Sequence, residues 1–133
     1  MPLTAPRATI EQEGKRLVLP VAANVEIWQG GLVMLSGGNA TPGAVAVGAL
    51  GVGMAESTAN NLGGAAGAIT VTVKKGVFYF ANSGTDPVPA SQIGANCYIV
   101  DDQTVAATSG ANTRSVAGLV FNVDAGGVWV KFL

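Results

Sequence analysis

The chain has 133 residues, 49% hydrophobic but only 11% charged, with seven basic and eight acidic side chains and a formal net charge of -1. That is the length of one ordinary domain, and its apolar content argues against intrinsic disorder. The scattered basic residues leave no footprint for nucleic acid, and the lack of any histidine removes His-based triads and most zinc sites.

Residues 1–20 form a distinct first region. Pro2 and Pro6 fix their own φ and push their predecessors toward extended conformations. Arg7, Glu11, Glu13, Lys15 and Arg16 concentrate charge there. The region reads as an extended arm with Thr9, Glu11 and Glu13 on one side and Ile10 and Gln12 on the other. Thr9 could instead cap a short helix over Ala8–Arg16, against which Gly14 counts. Met1 to Arg7 lacks the apolar run of a signal peptide, and Pro2 excludes myristoylation.

From Leu17 onward, short strands alternate with turn residues. A helix over Val45–Ala55 would carry Gly48, Gly51 and Gly53, each costing about 1 kcal/mol in a helix interior. The low-polarity stretch Gly43–Ala55 is too short and glycine-rich to cross a bilayer, so a soluble protein is expected. Ser36–Gly43 and Thr58–Gly64 read as polar, Gly- and Asn-rich loops. Ala68–Val73 alternates apolar and hydroxyl side chains, the period of a half-buried strand. Gly76 separates Lys74-Lys75 from Val77–Phe80 and marks a bend.

Toward the end of the chain, two hairpins are expected. Cys97–Val100 runs into Asp101-Asp102-Gln103, and Thr104–Thr108 returns. Leu119, Phe121 and Val123 share a face opposite Asn122 and Asp124, and a turn at Ala125–Gly127 leads into the last strand. There Val128, Val130 and Phe132 oppose Trp129, Lys131 and Leu133, so apolar bulk on both faces suggests an interface. The whole is an all-β chain of about seven to nine short strands, a small barrel or a sandwich. The expected organisation is an arm over 1–20 and a barrel over 21–133.

Residues that could carry chemistry are few. Cys97 is the one cysteine; it can form no intrachain disulfide, fits a reducing compartment, and lies in an apolar strand pattern as an inert thiol. Asp101-Asp102 suits turn capping or, less readily, a weak cation site. Lys74-Lys75 reads as a solvated or interface charge. Gly51-Val52-Gly53 lacks the strand–turn–helix setting of a dinucleotide fingerprint. Trp28 and Trp129 serve either as core or rim packing or as anchors to a partner. No catalytic residue, cofactor or metal is expected.

The order of segments carries a resemblance. Gly31-Leu32-Val33-Met34-Leu35 precedes Gly51-Val52-Gly53-Met54-Ala55, a polar Gly-rich loop, Val71-Thr72-Val73 and Gly76-Val77-Phe78. Gly94–Asp101, Val116–Val120 and the terminal Gly126-Gly127-Val128-Trp129-Val130-Lys131-Phe132 follow. Over roughly residues 25–133, this resembles the capsid cement, or head decoration, proteins of tailed phages. The resemblance implies a usually trimeric β-barrel or β-tulip-like domain, made in the host cytoplasm and seated on the outer surface of the virion's expanded capsid. There it would clamp neighbouring capsomers, with the major capsid protein and its own copies as partners, and with neither nucleic acid nor membrane. The arm residues Arg7, Thr9, Ile10, Glu11 and Glu13 then become candidate capsid contacts, and Trp28, Trp129, Lys131 and Leu133 candidate interface residues. The alternative is a carbohydrate- or host-surface-binding β-domain of a phage fibre or adhesin.

Overall fold

The computed structural model describes all residues from Met1 to Leu133. Residues 1–15 contain no strand and are exposed throughout. The first strand, β1 (Arg16–Pro20), follows at once, so the arm is shorter than the expected 1–20 and its last five residues belong to a sheet. No helix forms over Ala8–Arg16.

Eleven further strands follow: β2 (Glu26–Ile27), β3 (Leu32–Ser36), β4 (Asn39–Pro42), β5 (Leu50–Ala55), β6 (Ala59–Asn60), β7 (Thr70–Lys74), β8 (Val77–Asn82), β9 (Asn96–Ile99), β10 (Thr104–Ala106), β11 (Val116–Asp124) and β12 (Gly127–Lys131). The chain is all-β, with a single 3₁₀ turn at Ala90–Gln92. Twelve strands exceed the seven to nine expected. The surplus lies in pieces too short for alternation to announce, such as the two-residue ladder of β2 with β6. The expected loop Ser36–Gly43 is also partly strand, because Gly37 and Gly38 turn β3 directly back into β4.

The single barrel expected over 21–133 is replaced by two cores. β8, β12, β11, β9 and β10 close into a small barrel, sealed by a parallel pairing of β10 with β8. Strands β1, β7, β5, β3 and β4 form an antiparallel sheet. That sheet curls until its two edges meet, where Val21 bridges Ala40 and the Ala22 N–H donates to the Ala40 carbonyl at 2.9 Å. Inside the barrel pack Phe80, Cys97, Ile99, Val120, Val130 and Phe132, among others. Val21, Ile27, Val33, Val52, Val71 and Val73 lead the second core.

Strand β3 explains why the two cores share a wall. Leu32, Val33 and Met34 are all buried. Successive strand side chains point to opposite faces. Leu32 and Met34 accordingly enter the barrel core, while Val33 enters the second core. The seam is fastened by hydrogen bonds and by close backbone approach. The Leu32 N–H donates to the Asp102 carbonyl at 2.8 Å. The buried Ser115 hydroxyl donates to the Ala46 carbonyl at 2.8 Å and accepts from the Ala49 N–H at 3.0 Å. Gly51 of β5 faces the backbone of Ala117 in β11 so closely that an added Cβ would overlap the Ala117 carbonyl oxygen.

The terminal hairpin of β11 and β12 forms as expected, with one correction. The register shifts between Val120 and Asn122, a β-bulge at Phe121. A bulge inserts one residue and reverses the faces beyond it. Val120, before the bulge, and Val123, beyond it, therefore both pack on the barrel core, while Phe121 is exposed, so Leu119, Phe121 and Val123 do not share one face as expected. On β12 the expected division holds: Val128, Val130 and Phe132 are buried, while Trp129, Lys131 and Leu133 are exposed.

The seam yields a test. Gly51→Val should lower unfolding free energy by about 2–3 kcal/mol or prevent folding, because overpacking against backbone has no flexible neighbour to yield. Gly84→Ala, where an added Cβ meets nothing within 4 Å, should stay within about 0.5 kcal/mol of the parent in urea melts.

Candidate functional site

The sequence-derived residues fall into three separate places. The first is the arm. The side chains of Arg7, Thr9, Ile10 and Glu11 are exposed and make no hydrogen bond within the molecule. The sole arm contact near them is local, from the Thr9 N–H to the Arg7 carbonyl at 3.1 Å. Glu13 differs. Its carboxylate accepts from the N–H of Lys15 at 3.0 Å and of Arg16 at 3.2 Å, fixing the point where the arm enters β1. Arg16 in turn donates to Glu56 at 2.9 Å, an ion pair exposed enough to contribute little by itself. Glu13 thus belongs to the root of the arm and not to its free part.

The second place is the outer face of the barrel over β8, β12 and β11. Cross-strand register sets Trp129 beside Tyr79 on one side and Asn122 on the other. The Tyr79 and Trp129 rings pack at 4.7 Å between centroids with a 49° tilt, an ordinary favourable aromatic geometry. Asp124 holds both. Its carboxylate accepts the Tyr79 hydroxyl at 2.6 Å and the Trp129 indole N–H at 3.3 Å. It also caps the turn by accepting from the N–H of Gly126 at 2.8 Å and of Gly127 at 3.0 Å. Phe121, lifted outward by the bulge, lines an open cleft of about 320 Å³ with Val77, Asn122 and Trp129. Around the end of the same strand, Lys131 and Leu133 border a second cleft of about 390 Å³ together with Leu50 and Leu119.

Tyr79, Phe121 and Asp124 were not singled out by sequence reasoning. Tyr79 sits in the run Val77-Phe78-Tyr79-Phe80, where alternation alone separates the outward Tyr79 from the inward Phe80. Phe121 is hidden by the bulge. Asp124 gives a usable signal, because an acid two residues before Gly126-Gly127 is a turn-capping pattern.

Trp28 is placed apart from these residues. It lies 58% exposed at the seam between the two cores, in an open cleft of about 490 Å³ with Gln29, Gly30, Gly31, Asp102 and Gln103. The four proposed interface residues therefore do not form one surface.

The remaining candidates are structural. The Asp101 carboxylate accepts from the Gln103 N–H at 2.9 Å and shapes the turn between β9 and β10. No group of three or more Cys, Asp or Glu side chains converges anywhere in the molecule. The Lys75 ammonium is not freely solvated. It donates to the Val52 carbonyl at 3.0 Å, and partial burial lowers its pKa. Cys97 is fully buried in the barrel core, where desolvation pushes its thiol up to about 11. Thiolate is the reactive form, so this cysteine is chemically quiet.

Two measurements follow. Cys97 in the folded protein should react with an aromatic disulfide reagent at pH 8 at least ~100-fold more slowly than in denaturant, since both burial and thiol ionisation oppose attack. The Asp124 carboxyl is held below the usual carboxylate range, first by the Tyr79 hydroxyl and then by the Gly126 amide. Its folded pKa therefore lies below its unfolded one, so its contribution to stability is present above about pH 4 and lost as pH falls through the depressed value. Melting temperature should drop on acidification from about pH 5 to pH 3, and Asp124→Asn should flatten part of that limb. The same hydrogen bond raises the Tyr79 pKa, so its contribution is present below about pH 10 and lost above it.

No family model matches the chain, and no curated protein and no solved structure matches it.

Proposed function

We propose that this chain is a non-catalytic structural protein of a phage virion. It binds the outside of the capsid and stabilises the expanded head by clamping neighbouring capsomers. The observation that carries this reading is an exposed fifteen-residue arm joined to a body that leaves Tyr79, Phe121, Trp129 and Leu133 uncovered on the barrel. Large apolar side chains clustered on one outer face mark association surfaces more often than free ones. Low charge points the same way, because a chain with only 11% charged residues is weakly protected against association.

The division of labour is physical. The free part of the arm, with Arg7, Thr9, Ile10 and Glu11, orders on the major capsid protein, and its ordering entropy lowers the net affinity of each contact. The face bearing Trp129, Lys131 and Leu133 packs against a neighbouring copy or a capsomer, where an aromatic anchor supplies much of the binding energy. Linking copies into a homotrimer raises the effective concentration of every further contact once the first has formed.

Deletion of residues 1–12 tests this while sparing the Glu13 cap and β1. The truncated protein should melt within about 1 °C of the full chain, since no packed contact is removed. It should bind undecorated expanded heads at least ~10-fold more weakly, a loss of about 1.4 kcal/mol or more. A full chain that shows no affinity for such heads, or that sediments strictly as a monomer on them and off them, overturns the proposal.

A further inference from the structure

The cleft at the seam has a chemistry unlike the rest of the surface. Trp28 is the one apolar residue lining it. Its indole N–H makes no hydrogen bond within the molecule, unlike that of Trp129. The side-chain amides of Gln29 and Gln103 and the carboxylate of Asp102 border the same space and are likewise without partners in the molecule. Gly30 and Gly31 complete the lining and contribute backbone alone.

The frame under these side chains is rigid. The Gly31 N–H donates to the Trp28 carbonyl at 3.0 Å, closing a tight turn. The Gly30 N–H donates to the Ala55 carbonyl at 2.9 Å, and the Gln29 N–H donates to the Thr58 hydroxyl at 3.0 Å. On the opposite wall, the Asp102 carbonyl accepts the Leu32 N–H across the seam. The backbone under both walls is thus fixed before any ligand arrives, which leaves only side-chain ordering as a cost of binding.

We infer that this cleft is a binding subsite for a neutral pyranose sugar. A pyranose ring offers an apolar face of C–H groups that covers a flat aromatic side chain, and equatorial hydroxyls that both donate and accept at its rim. Two primary amides supply donors and acceptors together, and a carboxylate accepts from a pair of hydroxyls. Other occupants fit less well. A nucleotide could stack on Trp28, but its phosphate would meet Asp102 with no basic side chain in the cleft. An extended peptide needs free backbone N–H groups or apolar pockets, whereas the N–H groups of Gly30 and Gly31 are already bonded. The site is independent of the capsid-binding reading, because the arm and the Trp129 face contribute none of its residues.

The test uses ¹⁵N-labelled full-length protein and three probes: cellotriose, maltotriose and the trimer of N-acetylglucosamine. The chain holds two tryptophans, so the spectrum has two indole N–H signals, assigned with Trp28→Phe. At least one probe should shift the Trp28 signal saturably, with a dissociation constant on the order of 1 mM, while the Trp129 signal stays in place. Trp28→Ala should abolish the sugar's saturation-transfer signal with an unchanged melting temperature. Gln103→Ala and Asp102→Asn should each weaken binding about 3–10-fold, the loss of one hydrogen-bonding group. A trimer of galacturonic acid should bind more weakly than the neutral sugars. No saturable shift with any of the three probes overturns the inference, as does a shift that survives Trp28→Ala. Loss of binding to phage heads in Trp28→Ala without sugar binding likewise overturns it, and returns the cleft to the capsid interface.

Discussion

Strand β3 is the element on which the architecture depends, because each of its faces is the inner wall of a different core. Leu32 and Met34 complete the barrel, and Val33 completes the curled sheet. A one-residue slip in its pairing would move each side chain into the wrong core. The slip is blocked by β4 and β5 pairing on both sides of β3 and by the Leu32 amide fixed to the Asp102 carbonyl. Two cores, one of twelve buried residues and one of nine, are thereby made into one unit.

The same closure limits how the molecule can meet others. The barrel has no free strand edge, and the curled sheet brings its two edges together at Val21 and Ala40. Unpaired edges are the usual route to indiscriminate sheet growth. With those routes mostly closed, association falls to side chains standing on outer faces and to the arm. Those are the places where the aromatic pair Tyr79–Trp129, Phe121 and the uncovered arm residues lie.

Much of this was legible in the sequence, and the rest was hidden for identifiable reasons. Val71 and Val73 alternate with threonines as half-buried strand residues should, and the final hairpin shows its turn and its buried face plainly. Leu32-Val33-Met34 reads as a strand, but a continuous apolar run says only that both faces are covered, not that two separate cores cover them. The bulge at Phe121 depends on pairing with β12 and leaves no mark in β11 itself, so simple alternation groups Phe121 with Val123 although the two face opposite ways. The seam was invisible because a glycine packed against backbone, such as Gly51, looks like any other strand glycine. For the candidate sites, Trp28 and Trp129 stood out by residue type. Their separation, and the companions Gln29, Gln103, Tyr79 and Asp124, required the tertiary pairing of distant strands.

The join between arm and body carries a mechanical meaning. The arm leads straight into β1, whose residues from Arg16 to Pro20 are paired one for one with β7 from Lys74 back to Thr70. A pull directed along the axis of β1 runs across those hydrogen bonds. All the rungs must then yield together, whereas a perpendicular pull would open them one after another. Tension on the N-terminal tail that is aligned with β1 therefore enters the sheet in its strongest direction, and the Glu13 cap and the Arg16–Glu56 pair sit where the load first enters.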